Sequence, residues 1–115
     1  MVHFELYNDK HHDVCVKCAD EEALLLAVRR AQETILKDRE VHDGGFLIVI
    51  KHGLHDYLHV SGINSGAVFV GCEKTQSLPF ADADLRREIL NLAAIHANFQ
   101  KQQEVVAVAE DGGYW

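Results

Sequence analysis

Apolar and polar residues alternate at the start of the chain. Val2, Phe4 and Leu6 fall on one side of an extended backbone and His3, Glu5 and Tyr7 on the other, the period-two pattern of a half-buried strand. Asn8-Asp9-Lys10 carries turn chemistry. Over residues 12–18 the alternation resumes, with Val14, Val16 and Cys18 on one face, so the two runs are expected to pair as a hairpin. The period then changes. Leu24, Val28, Ala31 and Ile35, with Leu25 and Leu36 beside them, recur at helical spacing behind Asp20-Glu21-Glu22. Asp20 is placed as an N-cap, and acids in a first turn suit the helix dipole. The stripe fades at Asp38-Arg39-Glu40.

Phe46-Leu47-Ile48-Val49-Ile50 is an unbroken apolar run between Asp43-Gly44-Gly45 and Lys51-His52-Gly53. It reads as the central strand of a sheet, buried on both faces. Residues 56–60 form a further strand, residues 61–66 a hairpin loop, and residues 67–72 the next strand, with Val68 and Val70 opposed in facing to Phe69. Such short connections favour antiparallel neighbours. Residues 73–78 read as a polar linker. Pro79 precedes a second helix, capped by Asp82 or Asp84, with Leu85, Ile89, Leu92, His96 and Phe99 at helical spacing. Val105-Val106-Ala107-Val108-Ala109 reads as a last strand, followed by a tail, Glu110-Asp111-Gly112-Gly113-Tyr114-Trp115. The order is ββαβββαβ: a single α+β domain over residues 1–115, with a mainly antiparallel sheet of five to six strands and two amphipathic helices.

Composition agrees with one packed domain. The chain has 115 residues, 48% hydrophobic and 25% charged, within the range of ordinary globular domains. No apolar run approaches the ~18 residues a membrane span needs, and the first ten residues carry Glu5 and Asp9 without a basic start. No membrane partner and a cytoplasmic location are therefore expected. Eighteen acids against eleven bases give a net charge of −7. That field repels phosphate backbones, which argues against nucleic acid, and attracts basic surfaces; it also serves solubility. Three cysteines are an odd count, expected as reduced thiols.

Candidate chemistry is sparse. Cys15-Val16-Lys17-Cys18 has C-x-x-C spacing, with His11 and His12 upstream. On a strand, however, residues three apart point to opposite faces. The helix also starts after Cys18 rather than at the motif, so no metal and no cofactor are expected. His52, His55 and His59 are spaced for chelation only on a helix. As a strand, the segment puts His55, Tyr57 and His59 on one face. Such a ledge suits a protein partner, since Tyr is enriched at interfaces, or a histidine acid–base pair, or solvent alone. His96, on the apolar stripe, reads as a core residue. Phosphate-loop, dinucleotide, nucleophile-elbow and zinc-protease motifs are missing, and the chain is not expected to be an enzyme. The acids placed in loops and tail, Asp9, Asp13, Asp38, Glu40, Asp43, Glu110 and Asp111, are the candidate contacts to a basic partner, with Tyr114 and Trp115 as aromatic anchors.

In size, acidity, cytoplasmic character and α+β order without an active-site motif, the whole chain resembles the small acidic immunity proteins of bacterial toxin systems, including those of contact-dependent inhibition. The resemblance rests on no specific motif. It implies a protein that folds alone, a monomer or weak homodimer, and neutralises a basic toxin domain, often a nuclease, by covering its active site. Two other readings stand beside it: a small enzyme or ligand-binding protein using the His55/Tyr57/His59 ledge, and a structural or regulatory homodimer subunit.

Overall fold

The sheet is built outward from its most apolar strand. The computed structural model describes residues 2–8, 15–37, 45–63, 67–71, 73–74 and 77–111. Its strands are β1 (Val2–Asn8), β2 (Cys15–Cys18), β3 (Phe46–His52), β4 (His55–Ser61), β5 (Phe69–Val70) and β6 (Glu73–Lys74), and its helices are α1 (Glu21–Lys37) and α2 (Ala83–Asp111). The strands lie in the order β2-β1-β3-β4-β5-β6, and all five ladders are antiparallel. The apolar run therefore holds an interior position, between β1 and β4.

Register decides what is buried. Phe4 lies opposite Ile50 and Leu6 opposite Ile48. Ile50 in turn faces Leu58, and Ile48 faces Val60. These residues share one face, and with Cys18 and Phe46 they join the stripes of both helices in one core. Leu24, Val28, Ile48, Val60, Leu85, Ile89 and Leu92 are completely buried. His96 is buried among them, its ring edge-on to Phe46 at 6.2 Å.

The helix starts follow their capping chemistry. The Ala23 N–H donates to Asp20 Oδ1 at 2.8 Å. Asp82, rather than Asp84, caps α2, accepting from the N–H groups of Asp84 and Leu85 at 2.8 and 3.1 Å. Glu21 ties the two starts together by accepting from the N–H groups of Ala81 and Asp82 at 2.8 and 3.2 Å. Further along, Gln32 donates to the Glu88 carbonyl and carboxylate at 2.9 and 2.8 Å.

Three elements differ from the sequence expectation. Residues 105–109 are not a strand: α2 runs through them to Asp111. No glycine or proline interrupts the chain between Leu85 and this run, and β-branched residues cost a helix only tenths of a kcal/mol each, ~0.5. Glu110 and Asp111 accordingly belong to the last turn of a helix, not to a tail. The expected strand over 67–72 shortens to Phe69–Val70, and part of the expected linker, Glu73–Lys74, pairs with it as β6. Asp9, Asp13, Asp38, Glu40, Asp43, Tyr114 and Trp115 lie outside the described residues.

Candidate functional site

Both helices pack on one face of the sheet, and a chain of polar side chains occupies the other. Glu5 lies opposite Val49, which faces His59; His3 lies opposite Lys51, which faces Asp56. Tyr7 donates a short hydrogen bond to Glu5 Oε1. Lys51 Nζ stands 3.3 Å from Glu5 Oε2 and 3.6 Å from Asp56 Oδ1. His59 Nε2 is 3.2 Å from Asp56 Oδ2, and His3 Nε2 is 3.9 Å from Glu5 Oε2. Glu5 is only 5% exposed, because these neighbours close over it. The same cover explains why Val49, on this face, is also buried.

One ammonium, that of Lys51, is shared between two carboxylates, Glu5 and Asp56. The hydrogen bond from Tyr7 holds the Glu5 carboxyl below its ordinary range against the opposing effect of burial, and Lys51 helps through its own hydrogen bond and charge. The same bond to Glu5 raises the Tyr7 phenol well above its ordinary value, with Cys15 adding to the effect. Lys51 is likewise raised, chiefly by its hydrogen bond to Glu5. Glu5 thus stays ionised and Tyr7 protonated across the neutral range, so this pair fixes its protons rather than exchanging them. A depressed folded-state value contributes stability above the unfolded carboxyl value, ~4.3, and that contribution is lost as pH falls through the folded value. Glu5→Gln is therefore expected to be less stable than the parent at neutral pH, with the gap narrowing below about pH 4. Denaturant melts across the acid range check this. A gap that stays constant down to pH 2 would contradict the ionised Glu5.

The β3–β4 hairpin forms the end of this face. Gly53 has φ +68 and Leu54 does not share a positive φ, so the two-residue connection is a type II′ turn, which needs glycine at its first position. Leu54 at the turn is 96% exposed, and Tyr57 is 72% exposed. Between Ile50 opposite Leu58 and Lys51 opposite Asp56 the register shifts, and the unmatched residue is Tyr57. This bulge breaks the expected ledge. Strict alternation would align His55, Tyr57 and His59, but one extra residue offsets the parity. His59 shares its face with Asp56, whereas His55 stands opposite His52 beside the turn.

The remaining candidates are placed as follows. Cys15 lies opposite Tyr7 and Cys18 opposite Phe4, so the two thiols take opposite faces as parity requires. Burial raises the Cys18 thiol. Among the described residues no three or more His, Cys, Asp or Glu side chains converge as a metal-binding group, and no helix is long and apolar enough to cross a membrane. A half-open cavity of about 480 Å³ lies between α1 and the β1–β2 ladder, lined by Leu6, Val16, Cys18, Leu26, Ala27 and Phe46 among others. Acids missed as a group in the sequence, Asp20, Glu21, Glu22, Asp82 and Asp84, gather where the two helix starts meet. The signal was present, since each helix opens on acids, but only the packing of α1 on α2 brings them together. Against known proteins, the chain matches no family model, no curated protein and no solved structure.

Proposed function

We propose that this chain is a protein-binding inhibitor of the immunity type, which neutralises a basic toxin domain, such as a nuclease, by covering its active site. The observation that carries the reading is the display of Leu54 at the turn and Tyr57 at the bulge of the β3–β4 hairpin. Large exposed apolar groups on a tight turn suit an interface centre, where Tyr is favoured and a rim of weaker polar contacts excludes water. His52, His55, Asp56 and His59 supply that rim. The net charge of −7 and the acids at the joined helix starts supply long-range attraction for a basic partner.

The test starts from the gene neighbourhood: the reading requires a toxic domain encoded beside this chain's gene, and that domain is the partner to use. Co-expression is expected to restore growth, and the purified pair to bind with an association rate that falls as salt rises. Leu54→Ser with Tyr57→Ala is expected to weaken binding by at least about tenfold while leaving the melting temperature nearly unchanged, since both side chains are exposed. Full affinity in that double variant would remove the hairpin from the interface. An association rate indifferent to salt would remove the electrostatic part of the reading.

A further inference from the structure

The same hairpin brings two histidines together that no sequence spacing rule would pair. His52 and His55 are direct partners across the β3–β4 ladder, flanking the two-residue turn. Opposed residues in an antiparallel ladder project to the same face, with Cα atoms about 4.5–5.5 Å apart. Both side chains are exposed, and among the described residues neither engages a hydrogen bond or ion pair. The next pair inward takes its charges elsewhere. Lys51 and Asp56 meet on the helix-free face, where Glu5 also holds the ammonium. Among the described residues no cation pairs with either imidazole.

Neutral imidazole nitrogen is the preferred protein ligand for divalent ions of borderline softness. Metal–nitrogen bonds of about 2.0–2.1 Å let two rings on neighbouring strands converge on one ion. The type II′ turn closes the hairpin beside the pair, so little backbone freedom is lost on chelation. We propose that His52 and His55 form a two-point site for a divalent transition-metal ion such as Zn²⁺, Ni²⁺ or Cu²⁺, with water completing its shell. The ion is peripheral and exchangeable, and the fold does not depend on it. The two histidines also lie in the rim proposed for docking, but metal binding by the free chain does not rest on that reading: either can fail without the other.

Ni²⁺ titrated into ¹⁵N-labelled protein tests the site residue by residue. Amide signals of residues 51–56 are expected to broaden first around the turn. His52→Ala and His55→Ala are each expected to weaken this effect by about tenfold or more. His59→Ala, on the opposite face, leaves it intact. Hairpin signals untouched by excess Ni²⁺, or broadening that persists in the His52→Ala/His55→Ala double variant, would overturn the proposal. The unaffected remainder of each spectrum reports that the variants are folded.

Discussion

Ile48→Asp is expected to abolish cooperative folding. Ile48 is completely buried, with Leu6 on one side of it in the sheet and Val60 on the other. The substitution removes ~2 kcal/mol of apolar burial and places an unpaired carboxylate where no water or cation reaches it, at a further cost of several kcal/mol. Together these approach the whole stability of an ordinary domain, about 5–15 kcal/mol. Ile48→Val, which only trims a methylene, is expected to cost about 1 kcal/mol and retain a sharp transition. Far-UV circular dichroism with denaturant melts reads both. A soluble Ile48→Asp protein that melts sigmoidally would mean that the interior of the sheet is organised around some other strand.

Gly62→Ala is expected to be more damaging than the same addition at Gly53 or Gly71. Gly62 has φ +74, and an added Cβ would stand 2.4 Å from Cδ2 of Phe69 and 3.2 Å from the Ala67 carbonyl oxygen. The left-handed backbone costs an L-residue about 1–2 kcal/mol, and the contact with the edge of the Phe69 ring forces that side chain to shift. A total of roughly 2–4 kcal/mol follows. Gly53 has a similar φ of +68 but nothing within 4 Å of a built Cβ, so Gly53→Ala is expected to show the conformational cost alone. A double-mutant cycle with Phe69→Ala separates the two effects, since removing the ring relieves the clash but not the dihedral strain. Equal losses at the two glycines would show that the Phe69 contact is absent.

Local period made much of this fold legible. The stripe from Leu24 to Ile35, the stripe from Leu85 to His96, the Asp20 cap and the opposed cysteines all depend on neighbours within a turn or a strand, and each is found as read. Residues 105–109 fit either period, and continuity with the preceding helix decides for α2. The polar chain on the sheet was only half legible. Alternation in β1 put Glu5 and Tyr7 on one side, but Lys51 and Asp56 reach them through pairings of β3 with β1 and β4, which depend on register rather than composition. The histidine ledge failed on a single inserted residue that no local pattern announces.

That insertion separates two properties of the hairpin. The pairs on either side of Tyr57 are already complete: Leu58 with Ile50 and Asp56 with Lys51. A chain with Tyr57 excised would close a regular ladder with the same partners throughout, losing the local bend and the displayed aromatic ring but no ladder pair. The aromatic ring that this hairpin exposes is thus carried by a residue the ladder can spare, so its identity is free to change without altering a single strand pair beneath it.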